Sequence, residues 1–136
     1  MATDSAISIQ GLTKRYGNLQ AVHNLNLEVA PGETFGFLGL NGAGKTTTIR
    51  ILLDLLRPTA GRAFMLGHDC QSDGLRARSR IGYLPGEMGL YADMTGRAVL
   101  DLLAGLNGQP VDPRSRGELQ ERLELPDSDH AAPYEL

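Results

Sequence analysis

The sequence predicts an α/β fold, and two observations lead to this prediction. Short segments with the patterning of strands alternate with segments whose apolar residues recur at helical spacing. A glycine-rich loop also connects one predicted strand directly to one predicted helix. The chain has 136 residues, of which 41% are hydrophobic. At roughly 150 residues per domain, this is one domain or part of one.

Strands are predicted in five segments. Residues 34–40 (TFGFLGL) follow a Pro-Gly turn and are almost wholly apolar, which is typical of a strand covered on both faces in a parallel sheet. In residues 25–29 apolar and polar side chains alternate, which favours a half-buried strand. Shorter strands are expected at 6–12, 62–66 and 80–84.

Three helices are predicted from apolar spacing and from capping residues. The first begins near Gly44, ends before Arg57-Pro58 and has its apolar face at Ile49, Leu52, Leu53 and Leu56. The second is expected to have Thr95 as its N-cap and to end at Asn107-Gly108, with Val99, Leu102, Leu103 and Leu106 at the same helical spacing. The third is expected to begin at Asp112-Pro113, with Leu119 and Leu123 on one side.

Composition excludes several classes of function. The net charge of -3 argues against a surface dedicated to nucleic-acid binding. Cys70 is the single cysteine, so no intrachain disulfide can form and a reducing, cytoplasmic setting fits. No apolar run reaches the roughly 18 residues that a membrane helix needs, and the N-terminus is unlike a signal peptide.

Residues 39–46 (GLNGAGKT) match the phosphate-binding pattern G-x-x-x-x-G-K-[ST] at the junction of a predicted strand and a predicted helix. Glycines in this pattern let backbone N–H groups turn inward around an anion, because no Cβ blocks the left-handed conformations or the approaching oxygens. The positive end of the following helix adds to anion binding. The pattern predicts a P-loop NTPase core that binds a nucleotide.

The side chains of this loop have distinct predicted roles. Lys45 supplies a full positive charge for the β- and γ-phosphates, and the Thr46 hydroxyl can ligate the Mg²⁺ that bridges them. Thr47 offers a further hydroxyl donor. The predicted site for ATP and Mg²⁺ comprises Gly39, Asn41, Gly42, Ala43, Gly44, Lys45, Thr46 and Thr47, with Thr46 as the metal ligand.

From about residue 7 to about residue 125, the sequence resembles the nucleotide-binding domain of ABC transporter ATPases. GLNGAGKTT is close to this family's form of the loop, including Asn41 and the paired threonines. Upstream, LTKRYGN places Tyr16 where the family has an aromatic residue that stacks on adenine, a contact worth about 1 to 3 kcal/mol. A tyrosine that only packs at the end of a strand is the alternative.

This resemblance implies a domain organisation. Residues 1–125 would form part of an ABC-type ATP-binding domain: a partial P-loop core, an antiparallel β-subdomain and the start of a helical subdomain at about residues 95–125. Residues 126–136 have little apolar patterning and are expected to be a disordered tail.

Residues 81–87 (IGYLPGE) resemble the family's Q-loop, in which a Gln contacts the metal and the attacking water. Gly86 stands at that position here, so the neighbouring Glu87 is the candidate contact to Mg²⁺ through water. A solvated turn glutamate is the alternative.

The resemblance also implies that ATP hydrolysis requires three further elements. These are a signature loop of LSGGQ type, an apolar strand that ends in Asp-Glu, and a later histidine. The sequence has none of them. Asp54 and Asp101 follow apolar residues, but at helical spacing and without a following Glu, so we interpret both as helix residues. We therefore expect the N-terminal part of an ATPase subunit that binds ATP without hydrolysing it. On its own it is expected to be marginally stable, partly molten or self-associating.

When complete, a subunit of this family would pair with a second ATPase subunit beneath a membrane-spanning transporter subunit, at the cytoplasmic face of the membrane. The run TTTIRILLDLLRPTAG followed by LGHD is most similar to exporter subunits. Two other functions stay open. One is a small P-loop phosphotransferase, for which Arg76, Arg78 and Arg80 would form a lid over phosphates. The other is a standalone, non-hydrolytic nucleotide-binding module.

Overall fold

The computed structural model describes residues 5–86, 94–106, 108 and 112–124. The chain divides into two compact units, Met1–Tyr83 and Leu84–Leu136.

The first unit is built on a four-stranded sheet. The strands are β1 (Ile7–Tyr16), β2 (Leu19–Val29), β3 (Ala60–Met65) and β4 (His68–Asp69), in the spatial order β2-β1-β3-β4. Gly17, with φ at 56°, lies in the turn between β1 and β2. The strands predicted at 6–12, 25–29 and 62–66 are confirmed, and β1 and β2 are longer than expected because they pair along most of their length as a hairpin.

The core of this unit combines residues of the sheet with residues of α1 (Lys45–Leu52) and α2 (Gly74–Arg78). Seven buried side chains form it: Ile9, Leu12, Ile51, Ala63, Met65, Cys70 and Ala77. Burial raises the pKa of the Cys70 thiol to about 12, with a further contribution from the negative charges of Asp69 and Asp54. Cys70 is therefore a protonated core residue.

The first helix ends earlier than its apolar spacing predicts. It stops at Leu52, and Asp54 adopts a left-handed conformation with φ at 57°. The Asp54 N–H donates to the Ile51 carbonyl and the Leu55 N–H to the Arg50 carbonyl, which is the paired hydrogen bonding of a Schellman motif. The interpretation of Asp54 as a helix residue is therefore wrong, because this turn closes the helix before Leu56.

Two predicted strands are absent from the described residues, and so is a parallel sheet. Within the described part of the chain, residues 34–40 and 80–84 have no sheet partner, and every strand pair is antiparallel. Phe35, Leu38 and Leu40 are exposed, whereas the apolar run predicted burial on both faces. A strand requires a neighbour for its backbone N–H and C=O groups, and no described residue supplies one to either segment.

The second unit contains two helices, α3 (Gly96–Leu106) and α4 (Pro113–Arg122), and both predicted caps are confirmed. The Thr95 hydroxyl accepts from the Ala98 N–H at 3.2 Å. The Asp112 carboxylate accepts from the Arg114 and Ser115 N–H groups and from the Ser115 hydroxyl, and these hydrogen bonds lower its pKa, the hydroxyl bond most. Asp101 lies in α3, as predicted, and pairs with Arg116 of α4.

The predicted tail at 126–136 lies outside the described residues, so its disorder stays a prediction. Among the helices that the structure describes, none combines the length and the hydropathy needed to span a membrane.

Candidate phosphate-binding site

The loop predicted to bind phosphate leads directly into α1. Gly44 is the N-cap of the helix, with φ 83° and ψ 4°, and Gly42 has φ at 84°. Both conformations lie in the left-handed region that non-glycine residues rarely adopt. The first turn of α1 contains no acidic residue, so the positive end of the helix dipole is not offset there. The loop therefore has the backbone conformation and the electrostatics that its motif predicts.

Gly44 is also required by packing. A Cβ at this position would lie 2.3 Å from the Ala21 carbonyl oxygen and 3.0 Å from Val22 Cγ2. The beginning of α1 thus rests against the backbone of β2, an approach that only glycine permits. The motif predicts a functional role for Gly44, but no pattern in the sequence predicts Ala21 as its neighbour.

Lys45 is folded back over the loop that precedes it. Its ammonium group donates to the carbonyl oxygens of Gly39, at 2.5 Å, and Leu40, at 2.8 Å. The side chain is half-buried. These two carbonyl contacts, which sequence reasoning did not foresee, hold a full positive charge beside the glycine-rich backbone.

The three threonines after Lys45 differ in their surroundings. Thr46 is exposed and Thr47 is half-buried, so both hydroxyls remain candidates for ligand contacts. Thr48 is buried, and its hydroxyl donates to the Gly44 carbonyl at 2.9 Å. Thr48 therefore stabilises the first turn of the helix, a role that sequence reasoning missed. Asn41, Gly42 and Ala43 are exposed at the tip of the loop.

Tyr16 lies at the end of β1, opposite Leu19 of β2. Its side chain is 47% exposed, so the ring can take part in a contact from solvent. Ala21, which abuts Gly44, is two residues beyond Leu19, a displacement of about 7 Å along a strand. The β1–β2 hairpin thus connects Tyr16 to the start of α1 through a short stretch of backbone.

The Q-loop-like segment is only partly described. Ile81 packs against the core, and Gly86 is exposed. Glu87 lies outside the described residues, so its contact with Mg²⁺ stays a prediction.

The arginines proposed as a phosphate lid have other partners. Arg78 donates to the Leu53 carbonyl at 3.1 Å and to the Asp54 carboxylate at 3.2 Å, and Arg76 lies 3.9 Å from Asp73. The Arg78 contacts hold α2 against the end of α1, and the Arg76 pair lies within the first turn of α2. They give a structural reason for two of the three arginines and weaken the phosphotransferase alternative.

No group of three or more His, Cys, Asp or Glu residues that could hold a metal ion occurs in the described part of the chain. The side-chain oxygens that follow Lys45 are hydroxyls, of which that of Thr46 is exposed and that of Thr47 is half-buried. Such a set fits a Mg²⁺ that is held mainly by phosphate oxygens and arrives with a nucleotide.

Comparison with known proteins gives consistent results. The family model described as ABC transporter matches residues 22–135. The chain is 42% identical over 127 residues to a daunorubicin resistance ATP-binding protein of Streptomyces coeruleorubidus, covering 92% of this chain and 40% of that protein. It is 39% identical over 119 residues to a bacitracin transport ATP-binding protein of Bacillus licheniformis, covering 88% of this chain and 38% of that protein.

A solved structure described as the ATP binding subunit of an ABC transporter has a similar fold. Its TM-score is 0.72 at 26% identity, over 88% of this chain and 52% of that chain. The chain thus spans about two-fifths of the length of these two curated relatives and about half of this solved structure. With a family match over most of its length and a mixed α/β fold shared with a P-loop subunit, this chain belongs to the ABC transporter family.

Proposed function

We propose that this chain is the ATP-binding part of an ATPase subunit that energises export by an ABC transporter. The observation that carries the proposal is the position of Lys45, whose ammonium group is held at the mouth of a glycine-rich loop that opens a helix. The two curated relatives, named as a daunorubicin resistance and a bacitracin transport ATP-binding protein, support the assignment to export.

Each part of the nucleotide would meet a different part of the site. The loop N–H groups and the positive end of α1 would bind the phosphates, and Lys45 would exchange its two carbonyl partners for phosphate oxygens. Thr46 would contribute a hydroxyl to Mg²⁺, whose charge offsets that of the phosphates. Tyr16 would stack on the adenine, and Asn41 and Thr47 would line the phosphate site.

The family resemblance supports a wider assembly, which is part of the same proposal. Residues 1–125 would form part of the ATP-binding domain, with a second ATPase subunit and a membrane-spanning subunit as partners at the cytoplasmic face of the membrane. The 136 residues contain no signature loop, no apolar strand ending in Asp-Glu and no histidine following such a strand. A polypeptide limited to these residues would bind ATP without turning it over.

A matched pair of charge deletions tests the site. Lys45→Ala removes the positive charge at the start of α1, and Arg50→Ala removes one from the exposed last turn of the same helix. We expect Lys45→Ala to weaken magnesium-dependent ATP binding at least about tenfold, because hydrogen bonds to charged groups are worth about 1.5–3 kcal/mol. Arg50→Ala should change the affinity less than about twofold, because dipole effects fall off within a helical turn.

Isothermal titration calorimetry with ATP, with and without Mg²⁺, provides the affinity, and circular dichroism checks that both variants are folded. Equal affinities for the Lys45→Ala variant and the unmodified chain would rule out this site. No magnesium-dependent binding by the folded, unmodified chain would rule out the proposed function altogether.

A further inference from the structure

The Lys14 side chain connects two parts of the first unit. Its ammonium nitrogen lies 5.0 Å from the centroid of the Tyr16 ring, over the ring, and donates to the Arg57 carbonyl oxygen at 2.8 Å. Lys14 and Tyr16 are two residues apart on β1, where the pairing with β2 shifts register between Lys14 and Arg15. The cation and the ring form a local pair, and the ammonium group makes a second contact, to a more distant segment.

This second contact, to Arg57, is to a backbone segment that is itself hydrogen-bonded to β1. The Thr59 N–H donates to the Thr13 carbonyl at 2.8 Å, and the Arg15 N–H donates to the Thr59 hydroxyl at 3.0 Å. Arg57 therefore belongs to a connection held along the end of β1, just after the turn that closes α1. A fixed acceptor for Lys14 fixes the position of its ammonium group relative to the Tyr16 ring.

We propose that Lys14 is a positioning residue that holds the Tyr16 ring for stacking on the base of the nucleotide. With the ammonium group over one face, a purine would stack on the opposite face of this half-exposed ring. A cation over one face is attracted by the ring quadrupole, so it restricts the motion of a side chain that is otherwise half exposed to solvent. A ring already held in one orientation loses less freedom when the base stacks on it.

This inference rests on the proposed function and assigns Lys14 an effect that acts only through Tyr16. It differs from a general attraction between a lysine and the ATP phosphates. Arg15 offers the matched control, since it carries the same charge on the next residue. No side-chain hydrogen bond, ion pair or ring contact involves Arg15 within the residues that the structure describes.

The test is a double-mutant cycle for ATP binding with Lys14→Met and Tyr16→Ala, alone and combined. Methionine keeps the length of the side chain and removes the charge and the donor. We expect Lys14→Met to weaken ATP binding about two- to fivefold, as expected for an exposed cation–π pair, and to have no effect in the Tyr16→Ala background. Lys14→Arg should restore the affinity, and Arg15→Met should leave it unchanged.

The outcomes separate this inference from the proposed function. An equal loss on Lys14→Met in both backgrounds, or an equal loss on Arg15→Met, would show that Lys14 acts as a general charge and would overturn the inference. An unchanged affinity in the Lys14→Met variant would overturn it as well. In each of these outcomes, ATP binding that depends on Mg²⁺ and Lys45 would persist, and its absence from the unmodified chain would refute the proposed function instead.

Discussion

The antiparallel sheet and the segment 34–40 differ in the burial of their side chains, although both are rich in apolar residues. In the sheet, Ile9 and Leu12 of β1 are 2% and 0% exposed. In the segment that leads into the phosphate loop, Leu38 and Leu40 are 90% and 86% exposed. The difference lies in the neighbours, since β1 pairs on both sides, with β2 and β3, and residues 34–40 pair with no described strand. Apolar composition produces a buried strand only when an adjacent strand satisfies its backbone.

This contrast also divides the candidate site. From Gly44 to Thr48, the loop and the helix rest against β2 and are held by the Thr48 hydroxyl. From Gly39 to Ala43, every residue is exposed. In this range the Ala43 N–H donates to Leu40, and Lys45 reaches back to the Gly39 and Leu40 carbonyls. The half of the candidate site from Gly44 to Thr48 thus packs against β2, and the half from Gly39 to Ala43 depends on the loop's own hydrogen bonds.

The largest expected effect is on the free energy of unfolding when a core leucine of the sheet is truncated. Truncation of an exposed leucine of the segment is the matched control. Leu12→Ala should lower the free energy of unfolding by about 3 kcal/mol, because it removes a fully buried side chain and leaves a cavity. Leu38→Ala removes the same atoms from an exposed position and should change it by less than about 0.5 kcal/mol.

Urea unfolding followed by circular dichroism measures both values, and the alkylation rate of Cys70 gives an independent reading. Cys70 is fully buried and its pKa is raised, so alkylation reports opening of the core. If Leu38→Ala destabilised the chain as much as Leu12→Ala, the segment 34–40 would be part of the stabilising core in solution, and the contrast would be lost.

An intermediate effect is expected from alanine at the two left-handed glycines of the loop. Gly44→Ala should cost more than about 2 kcal/mol, since the added Cβ would lie 2.3 Å from the Ala21 carbonyl oxygen and the backbone is in a left-handed conformation. Gly42 has the same left-handed conformation, but a Cβ added there would meet nothing within 4 Å. Gly42→Ala should therefore lower the free energy of unfolding by only about 1–2 kcal/mol, which is the cost of a left-handed backbone for alanine.

The measured quantities are the free energy of unfolding and the ATP affinity of the same two variants. Gly44→Ala should lose both stability and binding, because it displaces α1 from β2. Similar costs for the two substitutions would mean that the contact between Gly44 and Ala21 does not persist in solution, and that the loop is held by its own hydrogen bonds alone.

The sequence was sufficient to predict features that depend on residues close together in the chain. The caps at Thr95 and Asp112 depend on a side chain and the N–H groups two or three residues later, and both are as predicted. The phosphate loop is also a local motif. The family resemblance, carried by the loop and by the segment around Tyr16, is confirmed by the family match over residues 22–135.

The sequence was insufficient to predict features that depend on contacts between residues distant in the chain. Residues 34–40 have the composition of a buried strand, but burial depends on a partner that composition cannot reveal. The end of α1 at Leu52 depends on a left-handed Asp54, which Arg78 of α2 contacts from 24 residues away. The contacts of Gly44 with Ala21 and of Lys14 with Arg57 likewise join residues that are distant in sequence.

The smallest expected effect concerns the acid sensitivity of the sheet edge. The Asp69 carboxylate at the end of β4 accepts from the N–H groups of Gln71 and Ser72 and pairs with Arg62 at 2.8 Å. Burial alone would raise the pKa of Asp69, but these hydrogen bonds outweigh it and hold the pKa below the ordinary value of 3.8. Because the folded state lowers the pKa, Asp69 contributes stability above about pH 4, and this contribution is lost as the pH falls through the lowered value.

Asp69→Asn keeps an oxygen acceptor for the two N–H groups and removes the titration. The variant should lose about 1 kcal/mol or less at neutral pH, since Arg62 is largely exposed, and should lose less further stability than the unmodified chain between about pH 6 and pH 2.5. Urea unfolding across that range measures the difference. Parallel pH profiles for the two proteins would mean that the edge pair does not distinguish the folded from the unfolded chain. The acid sensitivity of the sheet would then have to come from carboxylates other than Asp69.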